Sequence, residues 1–288
     1  MARKLWINLV ESFALHKTMD APPRHFIASL GFGHVLPMDD LLLHKEGGLP
    51  LESFTLHDPR GEVTQLRLPD PGHYAQFEAT SGIGVEYGDL AVHKCSIGPD
   101  AAPGTYQLAA QSQELFITQY VDAGGHTVWD PRPMDAFSKD QRIASSFRTK
   151  IYAKAFTAVG AWTTPAPLGH ELELVPLSDL TRVMPGEPVV FEVRFQGQPF
   201  SCTQDNMEYV VAASNTYGGE AGGDTEGFFL SAYAINGRVR FALPTAGQWI
   251  VSAFSNQWVN PDSDWAAYAG KCLKVFHSAS IAFHVRAL

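Results

Sequence analysis

Between residues 189 and 195, β-branched and aromatic residues alternate with Glu192 and Arg194. The run is bounded by a Pro-Gly and a Gln-Gly turn, and its two-residue period predicts a half-buried strand. The pattern recurs downstream. Residues 207–213 form a second apolar run, a glycine-rich stretch over 215–224 follows, and Asn236-Gly237 predicts a tight hairpin turn. Val239, Phe241 and Leu243 then alternate with Arg238, Arg240 and Ala242. The run 248–254 sets Trp249 and Val251 on one face. Short strands at this spacing predict an Ig-like or transthyretin-like β-sandwich, with Trp249 and Phe254 expected in its core.

The first half carries the same signal over 4–10, 25–31, 51–56, 63–68, 73–80, 105–110 and 114–120. Turns such as Asp58-Pro59-Arg60-Gly61 and Pro69-Asp70-Pro71-Gly72 punctuate it. Residues 130–140 read as a loop. The segment 143–159 mixes helix-forming alanines with β-branched and aromatic residues, and a long strand is expected there. Short helices are expected over 41–45, capped by Asp39 or Asp40, and before Gly270, capped by Asp262 or Ser263. The linker composition of 163–170 places a boundary near residue 168. The expected fold is therefore mainly β in two β-rich domains. Residues 1–168 form one with histidine-bearing loops, and residues 169–288 form the sandwich.

At 288 residues and 45% hydrophobic content, each part can bury a core. A net charge of -9 without any Lys/Arg cluster argues against nucleic acid or an anionic membrane as partner. No apolar run reaches the roughly 18 residues of a membrane span, so the chain is not expected to cross a bilayer. Met1-Ala2-Arg3-Lys4 leads straight into a strand, so no signal peptide is recognised and a mature form is expected. Cys95, Cys202 and Cys272 contain no CxxC pair. They leave two readings open, one disulfide with a free thiol or three reduced thiols.

Signatures of catalysis are missing from the sequence: it contains no GxSxG, HExxH, GxxxxGK[ST] or GxGxxG. His170-Glu171 lacks a second imidazole because Leu174 occupies that place. Asp262 and Asp264 lack the later glycine and closing glutamate of a calcium loop. Neither an enzyme nor an organic cofactor is expected. Histidine, by contrast, is unevenly used, with eight of eleven before residue 168. His34, His73, His126 and His170 each follow a glycine, a step that sets a neutral imidazole at a turn where a divalent ion can reach it. With Asp39 as an oxygen donor, these four form the candidate metal set. Each has an ordinary alternative: His34 as a turn hydrogen-bonder, Asp39 as a helix cap, His170 as a tie between linker and sandwich, and the others as solvated loop residues.

Four blocks point further: LWIN (5–8), GFGHVLPMDDLL (31–42), YAKAFTAVG (152–160) and PLGHELELVPLSDL (167–180). With PGEPVVFEVRFQGQPF and GKCLKVFHSASIAFHV in the same order, the chain resembles periplasmic proteins described as the periplasmic component of nickel or cobalt uptake, encoded beside energy-coupling-factor transporters. That resemblance implies an extracytoplasmic β-rich protein that delivers or buffers Ni²⁺ or Co²⁺, with Zn²⁺ as a surrogate, for membrane transporter components, and that has no enzymatic activity. Matched to this sequence, the family's motif positions are His34, Asp39 and His170. Members often place a histidine directly before the Leu-Trp step, where Arg3 and Lys4 stand here. The alternative expectation is an envelope binding or scaffold module that recognises a protein or glycan through sandwich loops without metal.

Overall fold

The computed structural model describes residues 3–12, 24–34, 36–38, 40–44, 47–202, 209–217 and 229–287. Asp39 and most of the glycine-rich stretch 215–224 lie outside the described residues. In chain order the strands are β1 (Lys4–Glu11), β2 (Arg24–Gly33), β3 (Leu43–His44), β4 (Gly47–Gly48), β5 (Leu51–His57), β6 (Val63–Gln65), β7 (Ala75–Thr80), β8 (Ile83–Tyr87), β9 (His93–Ile97), β10 (Gly104–Ser112), β11 (Leu115–Val121), β12 (Thr127–Asp130) and β13 (Ile143–Val159). The remainder are β14 (Leu172–Pro176), β15 (Pro188–Phe195), β16 (Gln198–Pro199), β17 (Val210–Ser214), β18 (Phe229–Ala232), β19 (Arg238–Ala242), β20 (Gly247–Trp258) and β21 (Lys274–Val285). The protein is mainly β, as its alternating pattern predicts.

The 17-residue strand β13 organises the whole. It pairs antiparallel with β10 and β11 and parallel with β21, so one sheet runs continuously from β18 through β20, β21, β13 and β10 to β6. Because side chains alternate across a strand, β13 feeds two cores. Ile151, Ala153 and Ala155 face a cluster built with Leu5, Ile7, Phe26, Leu30, Phe54 and Leu108, roofed by the β1–β2–β9 sheet. Tyr152 and Phe156 face the other cluster, built with Phe191, Val193, Val239, Trp249, Val251 and Ile281. That cluster fills the two-layer sandwich between the long sheet and β14, β15 and β19. A central strand with apolar residues on both faces has no solvent side, which is why 143–159 is a strand despite its alanines.

Several local expectations are corrected. The strand foreseen from residue 73 starts at Ala75, because the Asp70 carboxylate accepts the Gly72 N–H at 2.8 Å and caps a single 3-10 turn, Pro71–His73. Residues 41–44 are not helical: Asp40 bridges to Phe32, and Leu43–His44 pairs with Gly47–Gly48. Before Gly270 only one 3-10 turn forms, Ala266–Tyr268, and its capping position is Trp265, since Ser263 is engaged in its own turn with Asn260. Phe254 is half-buried on the outer face, opposite Trp249, because the two differ by an odd number of strand positions. Strands β8, β9 and β12 are not foreseen; at four or five residues each they are too short to stand out as periodic runs. No disulfide forms among the described residues, and burial raises the thiol pKa values of Cys95 and Cys272. Among the described residues no helix is long and apolar enough to cross a membrane.

Candidate functional site

The residues around His34 sit at one end of the β1–β2 ribbon. Trp6 pairs with Gly31 across the ribbon, and its indole lies over that glycine so closely that a Cβ there would collide with Nε1. The same indole N–H donates to Asn8 Oδ1 at 3.0 Å and to the Pro37 carbonyl at 3.1 Å. LWIN and GFGHVLP are thus two halves of one clasp that pins the turn following β2. At this end Lys4 pairs with Gly33, Asp40 bridges to Phe32, and the Arg3 guanidinium lies 2.7 Å from the Asp40 carboxylate. His34 is exposed on the turn.

The other two blocks also interlock. Lys154 of YAKAF and Glu173 of PLGHELE form an ion pair with both side chains almost fully buried, at 3% and 2% exposure. The Glu173 carboxylate further accepts the N–H groups of Leu168 (2.6 Å) and Gly169 (3.1 Å), so it ties down the turn that carries His170. His170 stacks on Tyr152 with ring centroids 4.6 Å apart, and its Nδ1 is buried without a hydrogen-bond partner. Burial, reinforced by the Lys154 charge, lowers its pKa to about 4. His170 is a packed imidazole at the junction, stacked on Tyr152.

The candidate histidines do not come together. His73 Nδ1 is 3.6 Å from Asp89, but Asp89 already binds the Arg67 guanidinium at 2.6 Å, whose hydrogen bond holds the carboxyl far below its usual range. His126 is 3.5 Å from Asp122 in the solvent-exposed β11–β12 hairpin. Among the described residues no three His, Cys, Asp or Glu side chains are grouped to hold a metal ion.

A polar seam that the sequence reading missed runs beside His170. Even-numbered residues of β13 place Arg148, Lys150, Tyr152 and Lys154 on one face. Arg148, 3% exposed, forms a bidentate pair with Glu171 (2.7 and 3.1 Å) and donates through Nε to Glu114 at 2.8 Å. Tyr268 donates to the same Glu114 oxygen at 2.8 Å. His277, fully buried on β21, brings Nε2 to 2.8 Å of Arg148 and into contact with Glu171. Burial lowers the His277 pKa, with Glu171 opposing it. Burial works to raise the Glu171 pKa, but hydrogen bonds from His277 and Arg148 prevail and hold it at about 2. At the register shift between β5 and β10, Glu52 joins the seam through Lys150 (3.0 Å) and Gln111 (2.7 Å). The detectable signal was the period-two run of Arg148, Lys150 and Lys154 inside an otherwise apolar segment. The seam is a set of charge-assisted bonds, able to hold the two halves in register.

Residues 1–257 match the model of the family described as a domain of unknown function, DUF4198. The chain belongs to the DUF4198 family. No curated protein matches it. In this DUF4198 chain the four motif blocks are explained by structure: they clasp the His34 turn and lock the His170 junction.

The His170 environment gives a first prediction. Its folded pKa of about 4 lies below the ordinary value of 6.5, so between those pH values the unfolded chain binds more protons than the folded one. The contribution is fully present above pH 6.5 and is lost as pH falls toward 4, by the order of 2–3 kcal/mol. Chemical denaturation from pH 7.5 to 4 is expected to show this acid loss, and His170→Phe, which keeps the stack without the titration, flattens it. An unchanged pH slope in His170→Phe excludes the assignment.

Proposed function

We propose that the protein is a non-catalytic extracytoplasmic accessory of a membrane transporter that binds Ni²⁺ or Co²⁺ at the turn following β2. The observation carrying this reading is the convergence of the β1 start with the His34–Asp40 turn, clasped by Trp6. An exposed imidazole on a braced turn is a suitable first ligand for a borderline divalent ion. Arg3 pairs with Asp40, and Asp39 of the same sequence block is the oxygen ligand that the resemblance implies. Members of the resembled family often carry a histidine directly before the Leu-Trp step, and Lys4, paired with Gly33, holds that place here. His73, His126 and His170 have no part in this site.

Calorimetry with Ni²⁺, Co²⁺ and Zn²⁺ at pH 7.5 is expected to give one site tighter than about 100 µM. His34→Ala should weaken it at least tenfold, and His126→Ala should leave it unchanged. Binding weaker than that limit for all three ions, or binding insensitive to His34→Ala, overturns the proposal.

A further inference from the structure

The turn that carries His34 is seated on the far half of the chain. Leu36 is buried in a small cluster with Trp6 of β1, Ile250 of β20 and Ala282 of β21, and Met38 and Ala213 of β17 pack against it. A polar link runs beside this apolar one. Gln248 Nε2, on β20, donates to Asn8 Oδ1 at 2.7 Å across 240 residues of sequence, and the same oxygen accepts the Trp6 indole N–H at 3.0 Å. That indole N–H is shared with the Pro37 carbonyl at 3.1 Å, and Asn8 Nδ2 lies 3.5 Å from the same carbonyl. Gln248 is itself held. Its carbonyl accepts the Ser214 hydroxyl at 2.6 Å, Thr216 donates to the Ala246 carbonyl at 2.8 Å, and a Cβ on Gly247 would collide with the Thr216 side chain.

Each link constrains the next. An amide oxygen offers two lone pairs, and Asn8 spends both, one on Gln248 and one on Trp6. The side-chain amide is thereby fixed with its oxygen toward the indole and its nitrogen toward Pro37. Removing the Gln248 donor frees that amide to turn, and the indole and the Pro37 carbonyl lose their common partner. The apolar cluster alone sets how deep the turn sits but not how it is oriented, because apolar burial is non-directional. Groups that orient a ligand without touching the ion change metal affinity by tenfold or more when removed. We infer that Gln248 and Asn8 are positioning residues: through Trp6 and Pro37 they hold the turn in the orientation that presents His34, so a residue of the sandwich half sets the affinity of a site in the other half. The effect on affinity rests on the metal reading above; the effect on the turn does not.

Gln248→Met keeps the reach of the side chain and removes the donor. In the metal-free protein, hydrogen exchange of the Trp6 indole N–H and of the Asp40 amide, which bonds to the Phe32 carbonyl at 3.3 Å, is expected to accelerate severalfold, while exchange in β15 keeps the parent rate. Calorimetry with Ni²⁺ at pH 7.5 is expected to show about fivefold weaker binding, as for the loss of one hydrogen bond. Asn8→Ala should weaken it at least as much, and the double variant no further than Asn8→Ala alone, since the two residues act in series. Gln111→Met, which removes a like donor from Glu52 (2.7 Å), should alter neither reading. Unchanged exchange at the turn in Gln248→Met, or additive losses in the double variant, overturns the inference. So does parent-level Ni²⁺ affinity in Gln248→Met with only the thermal midpoint lowered, which is the result of a merely structural contact. If the parent binds no ion while exchange at the turn still accelerates, the metal reading falls and the positioning of the turn stands.

Discussion

Replacing Glu173 by Leu is expected to destabilise the protein by about 3–5 kcal/mol, because it strands the Lys154 ammonium in a site with 3% exposure. The same substitution removes the acceptor for the Leu168 and Gly169 N–H groups, so the junction turn loses its fastening as well. In a chain of this size that cost corresponds to a fall of roughly 10 °C in the unfolding midpoint. Burial already lowers the Lys154 pKa against the pull of Glu173, and removing Glu173 leaves the desolvation unopposed. The paired replacement Lys154→Met with Glu173→Leu is therefore expected to recover a substantial part of the loss, since no unpaired charge remains. A double-mutant cycle from denaturant unfolding measures this. Additive losses would show that the pair is uncoupled and that the backbone contacts of Glu173 carry the effect.

Arg148→Met gives the other large effect, also about 3–5 kcal/mol at neutral pH, because one guanidinium satisfies Glu171 and Glu114 and lies against His277. Its signature is the pH dependence. Glu171 titrates at about 2 in the folded protein against an ordinary 4.5, so its contribution is present above pH 4.5 and is lost as pH falls toward 2. Without Arg148 the carboxylate loses its charged partner and takes up a proton more readily. The gap between parent and variant should then be widest at pH 7 and narrow as the solution is acidified below 4.5. Equilibrium unfolding at pH 7, 5 and 4 tests it; a gap that stays constant would assign the loss to packing, including the Arg148 contacts over Tyr268 and Trp265, rather than to charge.

These two sites show how unevenly the sequence speaks. Alternation over 189–195 and 238–243 locates β15 and β19 with their inward residues Phe191, Val193, Val239 and Phe241, since a sheet with one buried face writes its period into the chain. The histidine-glycine pattern was legible too, yet it selected residues by local chemistry alone, and the structure sets His73, His126 and His170 in unrelated surroundings. Arg148 and Lys154 were present in the segment 143–159 without standing out, because a buried charge cannot be told from a solvated one until its partner is known.

The sequence by itself determined a mainly β protein and the inward faces of its best-patterned strands. Those features depend on neighbours two to four residues apart. Tertiary structure decided that β13 serves two cores and joins the halves through its parallel pairing with β21, more than a hundred residues later. It also brought LWIN onto the His34 turn and Glu173 onto Lys154. Each of these follows from which strands become neighbours, a long-range choice made by total burial and charge pairing that no local period records.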